Sequence, residues 1–268
     1  MGRLAGKNAV ILGASSAGNM GQVMARRFMA EGARILVAGR KEDILKSFAE
    51  ETGCEWATCD LTNEVSVNAL ADTAAAKLGG IDIAVNATGW GLLKPFLENT
   101  RDELEAITDL QYIGPFQFFQ TMVRKMAKSM GGRGGSIITI SSATAKIMLD
   151  NHAAYMGTKA GIDHVIRCVA NEFGHEGIRA NSISPGLTDT PMTADAKSVP
   201  GLFEAFIAGY PLGRYGTSDD IAAAAVFLAS DECFMTGENL QVNGGLTLRK
   251  NPSSDEIAAS IARANAQT

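Results

Sequence analysis

Tyr155 and Lys159 stand four residues apart in Tyr155-Met156-Gly157-Thr158-Lys159, a spacing that puts both on one face of a helix, within reach of the same small molecule. Together they can make a proton donor. A free phenol is too weak an acid at neutral pH, but a nearby ammonium favours the phenolate, so Tyr155 can give or take a proton with Lys159 as the electrostatic part of the acid. The spacing alone describes many solvated helix faces. Here Ile162, Ile166, Val169 and Phe173 continue the face as an apolar stripe, so the helix buries the side that carries the lysine. A lysine on a buried face needs a reason. Upstream, Ser136-Ile137-Ile138-Thr139-Ile140-Ser141-Ser142 is rich in β-branched residues and reads as a buried strand with Ser142 at its carboxyl end, thirteen residues before Tyr155. In an open α/β sheet that end is where ligands bind.

Ser142, Tyr155 and Lys159 together resemble the catalytic constellation of the short-chain dehydrogenase/reductase family. The resemblance implies that the serine holds the substrate oxygen, the tyrosine is the acid/base, and the lysine serves both the tyrosine and the cofactor ribose. Asp109-Leu110-Gln111-Tyr112-Ile113-Gly114 is similar to the family's D-V-N-x-x-G, with Gln111 in place of the asparagine that orients a water beside the lysine. Glutamine keeps the amide and moves it out by one methylene, so the relay is expected to be altered or carried by another group.

These residues need a sheet to position them, and the remaining chain supplies its pattern. Asn8-Ala9-Val10-Ile11-Leu12 is an apolar run followed by a glycine-rich turn and a helical pattern from Gln22 to Glu31, which reads as strand, turn, helix. Gly13, Ser15, Gly18, Met20 and Gly21 are the candidate pyrophosphate contacts, since glycines let the backbone approach a phosphate at a helix N-terminus. The glycines at 13, 18 and 21 leave each gap one residue longer than the family's G-x-x-x-G-x-G. A second strand, Ala33 to Ala38, stops at Gly39-Arg40-Lys41, where an adenosine ribose would lie. No carboxylate stands there to bind a free 2′-hydroxyl, whereas Arg40 offers a planar fork for a phosphate, so NADP(H) is expected ahead of NAD(H).

Further matches carry roles that the resemblance implies. Asp60 and Leu61, in a segment similar to the family's D-[VL]-T, would meet the adenine, although Asp60 or Thr62 could instead cap the helix starting near Asn63. Asn86 and Gly89 match the outer positions of the family's N-N-A-G, and Pro185, Gly186, Leu187 and Thr190 match the P-G-x-x-x-T segment that wraps the nicotinamide. Trp90, Met148, Leu149, Met192, Phe203 and Phe206 are candidate pocket walls, pointing to an apolar cyclic or aromatic ketone or alcohol. Residues 191–212 have neither a strand nor a long-helix pattern and suit a substrate lid.

Strands alternating with helices throughout imply one α/β domain over residues 1–247, a Rossmann-like doubly wound parallel sheet of about seven strands in the order 3-2-1-4-5-6-7. A tail, 248–268, carries the Ser253-x-x-Glu256 capping-box signature with Ile257 and Ile261 on one face, so a short docked helix is expected there. A net charge of −5 argues against nucleic acid and anionic membrane surfaces as partners. The first residues run straight into a strand pattern without a secretion signal, and no apolar run approaches the ~20 residues of a spanning helix. Cys54, Cys59, Cys168 and Cys233 form no C-x-x-C pair and read as reduced thiols in the core of a cytoplasmic protein, and His152, His164 and His175 have no metal-ligand spacing, so no metal is expected. Residues 100–130 have helical spacing, and Phe116, Phe118, Phe119, Met122 and Met126 look too numerous for one buried stripe. Together with the family resemblance they imply a homodimer or homotetramer.

The activity implied is hydride transfer between NADP(H) and a carbonyl or secondary alcohol of a small molecule. A 3-oxoacyl carrier-protein reductase is an alternative, with Arg124, Lys125, Lys128 and Arg133 as a basic patch, although Asn171 stands where such an enzyme would place a basic residue. A cofactor-binding regulator that lost turnover is the rival from another class, and the intact Ser142-Tyr155-Lys159 set argues against it.

Overall fold

In the computed structural model, which describes residues 2–266, seven strands form one parallel sheet. In chain order its strands are β1 (Asn8–Leu12), β2 (Arg34–Gly39), β3 (Glu55–Thr58), β4 (Ile83–Asn86), β5 (Gly135–Ile140), β6 (Ile178–Pro185) and β9 (Asn239–Val242), with spatial order 3-2-1-4-5-6-9. The expected seventh place is therefore filled by the ninth strand. Two short strands intervene, β7 (Thr188–Asp189) and β8 (Gly216–Thr217), which pair only with each other.

The sheet is doubly wound because its central strands are apolar on both faces and alternate at period two. Val10, Leu36, Ala84 and Ile137 pack beneath helices α3 (Glu64–Leu78), α5 (Gly114–Met126) and α6 (Ala153–Phe173). Ile11, Val37, Val85 and Ile138 pack on the other side beneath α1 (Met20–Ala30), α2 (Glu42–Thr52) and α9 (Ser218–Ala229). Cys59 and Cys233 belong to these layers, whereas Cys168 is exposed on α6, so only part of the thiol expectation holds. Side-chain caps set where the helices begin: Asn19 for α1, Asn63 for α3, and a reciprocal Thr217–Asp220 box for α9.

The helical run expected over 100–130 is interrupted. Helix α4 (Arg101–Thr108), capped by a Thr100–Glu103 box, gives way to a π-turn over Asp109–Ile113, in which Gly114 N–H reaches back to Asp109 O before α5 begins. Pro115 explains the break, since it has no N–H to donate and its ring would crowd the carbonyl of residue 111 in an α-helix. Within α5, Phe118, Phe119, Met122 and Met126 are all buried in the chain's own core. The expectation of surplus apolar residues is thus corrected to a smaller set: Phe116 of α5, with Leu104, Tyr112 and Ile113 before it, remains exposed.

A third, smaller core lies beyond the carboxyl ends of the strands. Ala143, Phe206, Tyr210 and Leu246 form its centre, with Ile147, Leu149, Leu187, Leu202 and Ile257 around them. It holds the 191–212 segment, which folds as a 3-10 turn (Pro191–Thr193), α7 (Ala194–Lys197) and α8 (Leu202–Ile207). The tail contributes Ile257 from α10 (Ser254–Asn265), whose Ser253–Glu256 capping box forms as expected. Asp150 Oδ2 accepts from Ser254 N (3.0 Å) and Oγ (2.9 Å), and Asn251 Nδ2 donates to Met148 O (3.0 Å), so the tail is tied to the segment that leads into α6. No helix among the described residues is long and apolar enough to cross a membrane.

Candidate active site

Strand β5 ends at Ile140, and the two serines after it turn the chain. Ser142 caps the 3-10 turn Ala143–Ala145: its Oγ accepts from Thr144 N (3.2 Å) and shares a hydrogen bond with Thr144 Oγ1 (2.8 Å). Tyr155 sits in the first turn of α6 and Lys159 one turn later, only 5% exposed. Lys159 Nζ donates to Ile140 O at 2.7 Å and lies 5.5 Å from the Tyr155 ring centroid. The three residues expected to act together are therefore brought to the end of one central strand.

The electrostatics correct one expectation. Burial pushes the Tyr155 phenol up to about 12, with the Ser142 hydroxyl pulling the other way, so the tyrosine is not depressed by its lysine. Burial also lowers Lys159 to about 8, against the opposing charge of Asp163. Desolvation penalises phenolate and ammonium alike, and it is the largest cause of the shift in both groups.

His152 was missed by the sequence reading, which weighed it only as a metal ligand. Its ring stacks on Tyr155 with centroids 4.3 Å apart and planes 25° from parallel. A carbonyl can only accept, so the 2.8 Å contact from His152 Nδ1 to Leu92 O places a proton on Nδ1. Burial lowers the histidine pKa, which favours the neutral ring. The spacing signal was present, since residues three apart share a helix face. Asn151 before it has φ 60°, the left-handed region, and its carbonyl accepts from Lys94 N at 2.6 Å.

Gln111 lies on the π-turn, 2% exposed, with its amide engaged at both ends. Trp90 N donates to its Oε1 (3.2 Å), and its Nε2 donates to Thr158 Oγ1 (3.1 Å), whose own hydrogen goes to Tyr155 O (2.9 Å). The side chain thus bridges the loop after β4 to α6. A Cβ on Gly89 would stand 3.3 Å from Gln111 Oε1 and 3.8 Å from Lys159 Nζ, so this glycine borders both groups. Asn86 holds the start of the same loop, its Oδ1 accepting from Thr88 N (3.2 Å) and Oγ1 (2.8 Å).

The glycine-rich loop absorbs its extra residues through two side chains. Asn19 Oδ1 accepts from Gln22 N (3.0 Å) while its Nδ2 donates to Gly13 O (2.8 Å), and Gln22 bonds Gly18 N (3.0 Å) and Ala14 O (3.1 Å). Gly21 packs so closely that a Cβ would lie 2.5 Å from Gly13 O. With Ser15 beside the loop, Met20 opening α1 and no acid in its first turn, this cradle fits a pyrophosphate.

At the end of β2, Arg40 and Lys41 are exposed and neither side chain forms a hydrogen bond or ion pair among the described residues. A Cβ at Gly39 would collide with Ser15 Oγ, which accepts from Lys41 N (3.2 Å), so any side chain there displaces that hydroxyl and its hydrogen bond. Asp60, followed by buried Leu61, uses Oδ1 to accept from Thr62 N (3.0 Å) and Oγ1 (2.8 Å). These donors, more than the charge of Arg40, hold its carboxyl below the usual range. The cap of α3 is Asn63, so the alternative in which Asp60 or Thr62 caps that helix is set aside.

Beyond β6, Pro185 and Gly186 lead to Leu187, whose carbonyl accepts from Gly216 N (2.9 Å) and Tyr210 Oη (3.3 Å). Thr190 N donates to Thr193 Oγ1 (3.1 Å), which closes the turn entering the 191–212 segment. Among the candidate pocket walls, Met192 Sδ would be 3.8 Å from a Cβ on Gly91, next to the partly buried Trp90. Met192 and Met148 are largely exposed and Leu149 is partly buried. Phe203 and Phe206 point inward as anchors of α8, Phe203 edge-on to Tyr215 at 5.0 Å and Phe206 in the third core.

Comparison with known proteins agrees with this geometry. The family described as "Enoyl-(Acyl carrier protein) reductase" matches residues 13–247. D-threitol dehydrogenase of Mycolicibacterium smegmatis is 34% identical over 92% of this chain and 95% of its own length. Borneol dehydrogenase of Lavandula x intermedia is 33% identical, with 92% of each chain covered. The 7alpha-hydroxysteroid dehydrogenase of Escherichia coli is 35% identical over 91% of this chain and 95% of its own. A short-chain type dehydrogenase/reductase from Mycobacterium ulcerans superposes with a TM-score of 0.88 at 28% identity, covering 93% of this chain and 92% of that one. The chain belongs to the short-chain dehydrogenase/reductase family, whose members bind NAD(P)(H), and is an oxidoreductase acting on CH–OH or C=O groups.

Replacing Gln111 by leucine removes the acceptor of Trp90 N–H and the donor to Thr158 while keeping most of the volume. The expected result is a fall of about tenfold in kcat with a folded protein, the scale of one or two lost buried hydrogen bonds. Turnover equal to the parent in steady-state assays would make Gln111 a packing residue only.

Proposed function

We propose that this protein transfers a hydride between NADP(H) and the carbonyl or secondary-alcohol carbon of an apolar small molecule, cyclic or aromatic in character. The observation that carries the reading is the convergence of Ser142, Tyr155 and Lys159 at the end of β5, with Lys159 anchored on Ile140 O. In this reading Gly13, Ser15, Gly18, Met20 and Gly21 hold the pyrophosphate and Arg40 the 2′-phosphate. Asp60 and Leu61 border the adenine, Asn86, Gly89 and Lys159 the nicotinamide ribose, and Pro185, Gly186, Leu187 and Thr190 the nicotinamide.

The bound nicotinamide supplies or accepts the hydride. Ser142 Oγ donates a hydrogen bond to the substrate oxygen, and Tyr155 gives it a proton as negative charge develops. A phenol pushed up to about 12 keeps its proton at neutral pH, so it serves directly as the acid of carbonyl reduction. Alcohol oxidation needs the phenolate and should speed up as pH rises. The apolar Trp90 and Met192 near Gly91 support this substrate class, and of the relatives named above the borneol and steroid dehydrogenases act on cyclic alcohols while D-threitol is an acyclic polyol. The carrier-protein alternative loses ground because Lys125 pairs with Asp72 (2.6 Å) and Arg133 with Asp82 (2.8 Å), which neutralises half of its basic patch.

Replacing Tyr155 by phenylalanine should cut kcat by roughly 10²–10⁴ while cofactor affinity stays close to the parent. Near-normal turnover on a ketone panel would dismiss the constellation. For the cofactor, specificity constants with NADPH should exceed those with NADH, and Arg40→Ala should move the ratio toward NADH. Equal use of both by the parent would show that Arg40 reads no phosphate. Assembly as a homodimer or homotetramer follows from the exposed Leu104, Tyr112, Ile113 and Phe116 and the groove between α5 and α6, lined by Phe116, Val123, Val165 and Cys168. Light scattering at micromolar concentration tests it, and a monomer there would contradict it.

A further inference from the structure

One turn beyond Lys159, helix α6 carries Asp163 against the sheet. Its Oδ2 accepts from Asn239 Nδ2 (2.9 Å), which also donates to Ser182 Oγ (2.7 Å), so the carboxylate is held by groups from β6 and β9. Its Oδ1 and Ser141 Oγ are both buried, and neither has a hydrogen-bond partner elsewhere among the described residues. Ser141 directly precedes Ser142, and a hydrogen bond from its hydroxyl helps to lower the Asp163 pKa against burial. A buried carboxylate one helical turn from the buried Lys159 is costly for folding even with hydroxyl and amide donors around it, and that cost is offset if the charge has an electrostatic partner. No cation lies within ion-pair distance of Asp163 among the described residues; the positive group that acts on it is Lys159.

We propose that Asp163 is a positioning residue of this active site: its carboxylate, clamped by Asn239, keeps the Lys159 side chain charged and seated on the Ile140 carbonyl. The inference rests on the proposed function, in which that charge binds the ribose and supports Tyr155. It needs a source because burial works against it, bringing Lys159 down to about 8, close to working pH. The ionisable groups facing Lys159 are Tyr155 and Asp163, both on α6. From β5 it meets the Ile140 carbonyl, and from the loop after β4 a Cβ on Gly89 would stand 3.8 Å from its Nζ; neither group titrates. Asp163 in turn faces Lys159, Ser141, Ser182 and Asn239, and burial raises its pKa against the pull of those donors and the lysine. Loss of the carboxylate charge therefore leaves desolvation of the ammonium unopposed. The lysine pKa must fall, and with it the pH above which the amine is neutral.

The test is a titration of the Lys159 Nζ by nitrogen-15 NMR in the full-length protein, parent against Asp163→Asn, alongside pH profiles of carbonyl reduction. The carboxamide should lower the Lys159 midpoint by about one pH unit or more, and the alkaline limb of kcat/KM by the same amount. Asp163→Glu should recover part of the shift, which a purely structural role would not reproduce. An unchanged Lys159 midpoint in Asp163→Asn overturns the inference. Should that variant fail to fold, the reciprocal measurement decides: Lys159→Met must raise the Asp163 carboxyl midpoint, and an unmoved carboxyl is equally fatal. The titrations need no turnover, so the two ideas fail separately. A coupled pair with an active Lys159→Met variant sinks the proposed function, whereas an uncoupled pair with an inactive variant sinks only the role of Asp163.

Discussion

Lys159 is an ammonium placed where water barely reaches, and the surrounding structure accommodates the consequence. Its Nζ needs acceptors, and the nearest is the carbonyl of Ile140, at the edge where β5 stops pairing and its last backbone groups come free. The bond pins the first turns of α6 against the end of the central strand. With that turn pinned, Tyr155 lies within reach of Ser142, and Asp163 faces the polar patch of Ser182 and Asn239. A lysine of the same sequence spacing on a solvated helix would do none of this, because water would satisfy it in any direction.

The loops around this point are held by side chains doing the work of secondary structure. Gln111 reaches from the π-turn to Trp90 and Thr158, joining two segments that share no strand or helix. Asn19 and Gln22 close the glycine-rich loop across the residues that lengthen it. In both places an amide supplies a donor and an acceptor at once, which suits it to staple backbone groups that regular structure leaves unpaired. The π-turn itself follows from Pro115, so one proline both breaks the helix and leaves Gln111 facing the site.

The substrate side has a different construction. The 191–212 segment is anchored through Phe206 and Tyr210 on Leu246, and the tail helix α10 closes the same core with Ile257. Asp150 and Met148, which bond the tail, belong to the segment that ends at His152 and Tyr155. The tail therefore packs on this core from outside the region of the family match, which stops at residue 247. Its contribution is mechanical, and it ties the 191–212 segment to the entry of α6.

Much of this was legible in order of residues. Apolar runs five or six residues long, alternating with helical periods, specify a parallel sheet because each strand must be covered on both faces. The shared helix of Tyr155 and Lys159 and the tail cap could be read because their geometry is local: a turn of helix separates Tyr155 from Lys159, and three residues separate Ser253 from Glu256. What tertiary structure alone decided is what lies across those local pieces. Phe118, Phe119, Met122 and Met126 proved to be core, since an apolar side chain carries no mark of which neighbour covers it. The Tyr155 proton affinity was decided by burial, which depends on the whole packed site and not on the distance to one lysine. His152 on the Leu92 carbonyl and Asp163 on Asn239 became visible only once α6 was docked on the sheet, because their partners lie 60 and 76 residues away in the chain.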